Sequence, residues 1–241
     1  MVAVLYADRR GPYPGLGVDW WDEARDARLY QGAAPVVAHP PCGPWGPWGR
    51  MRGLCTLQER DLAPHAVGVL RRVGGVLEHP AGSLLWRELR LPLPGQPERE
   101  GLRTIEVDQC RWGHPARKRT WLLLAHVGEV PPIPAWREPT HVIDSSSQRK
   151  AAGTSYAHLP KSQRHLTPLL FARWLLAVAR TARPGVRYEE VCPHDEGRQP
   201  YSLTDYEGGV AHALLCPLCA ALAEGDPDGQ TASVEALEVA R

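Results

Sequence analysis

No apolar run in this 241-residue chain approaches the roughly 20 residues that a membrane-spanning helix requires. The start, MVAVLYADRRGPYPG, also lacks the basic stretch and long apolar core of a signal peptide. Both absences lead to the expectation of a cytoplasmic protein with no membrane partner. Surplus charge is missing as well. Lys plus Arg number 28 against 27 for Asp plus Glu, so any site for a polyanion has to come from local clustering. Phenylalanine occurs once, which leaves the aromatic part of the core to nine tryptophans and seven tyrosines. Cysteine is sparse at six residues, and in a reducing compartment these are expected as thiols or metal ligands, not disulfides.

What remains is an alternation of short apolar runs with helical patterns. VAVLY (2–6), PVVAH (35–39), GGVLEH (74–79), RTIEVDQC (103–110) and TWLLLAHV (120–127) read as strands. Between the second and third, TLQERDLAPHAVGVLRRVGG has Thr56 as cap, apolar residues at helical spacing and a glycine stop, with Pro64 near its middle. A second helix is predicted from the Thr167-Pro168 cap through LLFARWLLAVARTAR to Pro184. The rhythm predicts an α/β fold. Residues 129–160, rich in Pro, Ser and His, read as loop. The predicted organisation is a main α/β domain over 1–185, a small module over 186–222 and a polar tail over 223–241.

In open α/β sheets reactive groups collect at the carboxyl ends of strands. Three of the predicted strands lead to notable residues there. PVVAH runs into Pro40-Pro41-Cys42. GGVLEH ends in Glu78-His79-Pro80. RTIEVDQC is followed by Gly113-His114-Pro115-Ala116-Arg117-Lys118-Arg119 just before the next strand. A thiol, a carboxylate and a basic cluster would then share one rim. Singly, each is common as scaffolding: a loop cysteine, a solvated strand-end carboxylate, a charged turn.

In this order the segments HPPCGPW, LEHP and WGHPARKRTWLLL resemble the DNA cytosine-5 methyltransferase family, in compact form as in bacteriophage-type relatives. The likeness runs in order over about residues 1–183. It implies a Rossmann-like methyltransferase sheet and a chemistry in which Cys42 adds to C6 of a cytosine flipped out of DNA. A thiolate both attacks and leaves well, and neighbouring positive charge, with Arg50 and Arg52 close in sequence, would lower its pKa. On this resemblance Glu78 grips the N3 and amino edge of the base, while Arg117 and Arg119 serve the same catalytic set and Arg119 holds the ring oxygen. Pro41, Trp45, Trp48, His79 and Lys118 would line the substrate, one of the tryptophans stacking on the base. His79 stands where the family has asparagine. S-adenosylmethionine is implied as methyl donor, with Asp8, Gly15, Gly17 and Asp19 as its expected contacts. The interval for a target-recognition domain is only about 35 residues, which implies low sequence specificity; Arg149, Lys150, Lys161, Arg164 and His165 are candidate phosphate contacts. Two other readings stay open. One is a catalytically silent nucleic-acid-binding protein, and the other an enzyme that modifies free pyrimidine nucleotides with another one-carbon donor.

Beyond Pro184, Cys192-Pro193-His194 and Cys216-Pro217-Leu218-Cys219 supply four soft ligands in two close pairs. That spacing predicts one tetrahedral, structural Zn2+ held by Cys192, His194, Cys216 and Cys219.

Overall fold

The computed structural model describes residues 1–46, 55–143, 157–183, 199–204 and 210–215. The chain divides into two units, Met1–Gly185 and Val186–Arg241.

The first unit is built on six strands: β1 (Ala3–Leu5), β2 (Asp19–Trp21), β3 (Val36–Ala38), β4 (Gly75–Pro80), β5 (Leu102–Asp108) and β6 (Arg119–Ala125). They lie in the order β2-β1-β3-β4-β6-β5. β2, β1, β3 and β4 pair in parallel, whereas β6 runs antiparallel to both β4 and β5. After β1 the chain goes to one side for β2 and then returns to the other for β3. This makes the gap beyond the ends of β1 and β3 a topological switch point, where open α/β sheets bind their ligands. Because β6 is reversed, its first residue, Arg119, lies at the same edge as the ends of β3 and β4.

Alternation along the strands sends side chains to two opposite cores. Ala3, Leu5, Val36, Ala38, Leu77 and Leu123 face α1 (Leu57–Val73), which buries Ala63, Ala66, Val67, Leu70 and Val73 at helical spacing. Val4, Val37, Val76, Leu122 and Leu124 face the opposite way, towards a helix that buries Phe171, Leu175, Val178 and Ala179. The central strands β1 and β3 are only three residues long and wholly buried, as expected of parallel strands covered on both sides.

Helix α1 begins with a reciprocal capping box: Glu59 N–H donates to Thr56 Oγ1 (3.1 Å) and Thr56 N–H to Glu59 Oε2 (3.0 Å). Pro64 is accommodated inside it, and Gly74 (φ 73°) closes it. A short α2 (Leu84–Glu88) follows β4, capped by Ser83. Beyond β6, His141–Val142 (β7) pairs with Ala157–His158 (β8). Then come α3 (Lys161–Arg164) and α4 (Leu169–Arg180).

Some expectations are corrected. Helix α4 has Pro168, not Thr167, at its N-cap, and it ends at Arg180, where Thr181 caps it and its Oγ1 donates to Val178 O (2.8 Å). β2, α2 and the β7–β8 pair were not expected, being too short to show a period. No helix among the described residues is long and apolar enough to cross a membrane.

The second unit contains an antiparallel hairpin of β9 (Gln199–Thr204) and β10 (Val210–Leu215), which sets Gln199 opposite Leu215.

Candidate active site

β3 ends in a stiff exit. His39 N–H still bonds Leu5 O (3.0 Å), extending the ladder by one residue, and Pro40 and Pro41 then carry the chain over the sheet edge to Cys42. Cys42 caps a single 3-10 turn, Gly43–Trp45, its carbonyl accepting from Trp45 N–H (3.0 Å). Trp45 is 2% exposed in the core beside α1, with the Arg60 guanidinium 5.1 Å from its ring. It anchors the loop from below and does not line the cavity, contrary to the base-stacking expectation. The anchor leaves Cys42 exposed.

Glu78 projects from β4 into a buried network. Its Oε2 meets His39 Nδ1 (3.1 Å) and its Oε1 accepts from Gln109 Nε2 (2.9 Å). On the far side of the imidazole, His39 Nε2 lies 2.6 Å from the Tyr13 hydroxyl, and Gln109 Nε2 also donates to Thr120 Oγ1 (3.0 Å). Burial alone would raise the carboxyl pKa. Lys118, the His39 hydrogen bond and the nearby imidazoles outweigh it and bring the value down to about 2. Glu78 is therefore an anion aimed in a fixed direction. An ionised carboxylate only accepts, so Nδ1 of His39 donates to it.

Its neighbour His79 is 1% exposed and is pushed down to about 4, chiefly by burial. Its Nδ1 bonds Ser83 Oγ (2.8 Å); no group meets hydrogen-bond geometry at Nε2, although the Pro41 backbone favours a proton on the ring. His79 is a neutral buttress tying β4 to α2.

The basic edge comes from the turn into β6. Lys118 adopts a left-handed backbone (φ 40°), costly for a residue with a side chain, and its Nζ approaches the carbonyls of His165 (3.5 Å) and Leu166 (3.3 Å). Arg117 is clamped by Asp108 (2.9 and 3.2 Å) and Arg119 by Glu106 (2.7 and 3.0 Å). Both guanidiniums are more than half exposed, so their faces stay open while their charges are partly matched.

These three segments line one cavity of about 1190 Å³, shared by Pro41, Cys42, Glu78, His79, Arg117, Lys118 and Arg119. Cys42 is exposed as a residue, yet desolvation at the crowded rim comes first among the effects on its thiol and raises its pKa. Glu78 raises it further, and Lys118 works against them. The expected lowering by neighbouring positive charge is thus reversed in the resting site. Arg50, Arg52 and Trp48 lie outside the described residues.

The residues expected to hold S-adenosylmethionine do not gather. Asp8 lines the cavity, 3.6 Å from His165 Nε2. Gly15 and Gly17 do not; they belong to the 3-10 turn Tyr13–Leu16 and its left-handed cap (Gly17, φ 64°). Asp19 starts β2, at the end of the strand away from the carboxyl edge, and is paired with Arg25 (2.7 Å). The acid at the carboxyl end of β2 is Asp22, 7% exposed and already engaged by Arg9 (2.7 and 3.0 Å) and Arg25 N–H (3.0 Å). This set does not fit the donor.

Tyr13, His39, Gln109 and Thr120 are the functional candidates that sequence reading missed. The signal for His39 was present, a histidine closing a buried strand just ahead of the thiol loop. Gln109 and Tyr13 carry no such mark.

Cys192, His194, Cys216 and Cys219 lie outside the described residues, as do Arg149 and Lys150. Among the described residues no cluster of three or more His, Cys, Asp or Glu is arranged to hold a metal. In comparisons with known proteins, no family model, no curated sequence and no solved structure matches this chain.

Proposed function

We propose that the protein is a DNA cytosine-5 methyltransferase-like enzyme in which Cys42 adds to C6 of an unstacked cytosine. The observation that carries this reading is the convergence of Cys42, Glu78 and the Arg117–Arg119 edge, from three separated segments, on one cavity at the switch point of the sheet. A sheet with one reversed strand and helices on both faces is compatible with a Rossmann-like methyltransferase core.

In this reading the anionic Glu78, oriented by His39 and Gln109, accepts hydrogen bonds from the amino group and the protonated N3 of the ring. Holding the proton on N3 draws electrons from C6, where the Cys42 thiolate forms its carbon–sulfur bond; this breaks the C5=C6 π bond, and the resulting enamine is nucleophilic at C5. Glu78 also acts on the thiol. Desolvation first and then its charge raise the Cys42 pKa, and a base protonated at N3 that matches this charge removes the second of these effects. S-adenosylmethionine is the donor that the resemblance implies, but of the residues expected to bind it Gly15, Gly17 and Asp19 do not reach the cavity.

That mismatch favours a second reading, a nucleic-acid-binding protein that kept the base pocket without transfer. The two part on S-adenosylmethionine binding by the folded protein, read by calorimetry; exchange of the cytosine C5 hydrogen with solvent tests addition at C6 itself, which needs no donor. The second unit is proposed to hold one structural Zn2+ through Cys192, His194, Cys216 and Cys219. What supports this is the antiparallel pairing of β9 with β10, which sets Gln199, five residues after His194 in sequence, opposite Leu215, one residue before Cys216.

A further inference from the structure

Trp136 stands at the cavity wall on a proline-rich loop that is pinned at several points. Trp174 Nε1 donates to the carbonyls of Pro131 and Pro132 (3.2 Å each), and Arg111 Nη1 to Pro134 O (2.8 Å). The N–H groups of Thr140 and His141 bond Pro115 O (2.8 and 3.0 Å). None of this buries the indole, which is 45% exposed. Its Nε1 is fixed by Glu138 (2.9 Å), and the Arg111 and Arg117 guanidinium carbons lie 5.4 and 5.6 Å from its ring centroid. A large apolar ring has been oriented, given cationic neighbours and left in water.

We infer that Trp136 is a stacking platform for single-stranded DNA, taking a base adjacent to the one presented to Cys42. The inference rests on the cytosine reading above and names the form of its substrate. Three observations select a strand over a free nucleotide or a duplex. The cavity, about 1190 Å³, exceeds the roughly 300–1,000 Å³ typical of small-ligand sites. An indole stacks on any base, but inside a duplex the faces of each base are covered by its stacked neighbours. Finally, two cations of this wall are partly matched, Arg117 by Asp108 and Arg119 by Glu106, which limits the phosphate contacts they make and leaves a share of the affinity to stacking.

The test is fluorescence anisotropy of a labelled deoxycytidine-containing oligonucleotide, as single strand and as duplex, at several salt concentrations with the full chain. The expected result is preference for the single strand, a shallow salt dependence, and roughly ten-fold or greater weakening in Trp136→Ala, by analogy with base–aromatic stacks elsewhere. Trp136→Phe should keep most of the affinity. Trp136→Leu, which retains apolar bulk without a π face, should lose it, and this checks the result if the alanine variant folds poorly. Unchanged binding in both Trp136→Ala and Trp136→Leu overturns the inference. So does tighter binding of duplex, of RNA of the same sequence, or of free cytidine monophosphate. C5 exchange on free nucleotides without oligonucleotide binding sinks this surface and spares the cytosine reading. Trp136-dependent strand binding without any exchange does the opposite.

Discussion

At the scale of single residues, Cys42 and Glu78 are coupled through charge. The carboxylate is held near pKa 2 while the thiol beside it is pushed up, so at neutral pH the resting site pairs an anion with a protonated thiol. Iodoacetamide reacts with thiolate, so alkylation of Cys42 should be slow at pH 7 and accelerate only above the ordinary thiol range. Glu78→Gln removes a charge that raises the thiol pKa and leaves Lys118 in place. The alkylation profile should therefore move to lower pH, as followed by peptide mass spectrometry. An unmoved or upward profile would show that Glu78 does not govern the nucleophile. Cys42, Glu78 and Arg119 could be picked out from the sequence because each lies near a strand end at the same edge, Cys42 just past β3, Glu78 close to the end of β4 and Arg119 at the start of β6. Trp45 was misread because nothing in Gly-Pro-Trp marks its tryptophan as a core residue; packing beside α1 buries it. The place of Asp19 at the far end of β2 was not legible, because a three-residue strand is too short for its direction to be read from the sequence.

At the scale of elements, the junction of α1 with β4 sets the position of Glu78. Gly74 closes the helix and Gly75 (φ 125°) starts the strand so close to β3 that a Cβ there would overlap the Val36 carbonyl oxygen. Gly75→Ala should cost roughly 3 kcal/mol or more, since neither the backbone conformation nor the space admits a side chain. Gly68→Ala, exposed within α1 with nothing within 4 Å, should instead stabilise by up to about 1 kcal/mol. Urea denaturation of both variants checks the contrast, and equal effects would contradict the packing described. Long elements with clear caps were legible, α1 most of all, where Thr56 and Glu59 outweigh Pro64. The order of strands in the sheet was not, because nothing local in the residues of β6 tells that it enters between β4 and β5.

At the scale of the whole molecule, the two units make separate demands. The first has two apolar cores, one on each side of its sheet. The second is proposed to depend on zinc, and about one equivalent should copurify under non-chelating conditions. Cys216→Ser should release the metal while the thermal transition of the first unit stays in place; metal-free native protein would refute the site. The central claim, that Cys42 adds to C6 of cytosine, is tested most directly in deuterium oxide. The full chain is incubated with a cytosine-containing single strand, which is then digested to nucleosides and weighed by mass spectrometry. Addition of the thiolate at C6 lets C5 take a deuteron; loss of the original proton and departure of the thiolate then return cytosine one mass unit heavier. The account predicts uptake by the wild-type protein, none by Cys42→Ala, and a slower rate in Glu78→Gln. Deuterium uptake undiminished in Cys42→Ala, or absent from a folded, strand-binding wild-type protein, would contradict it.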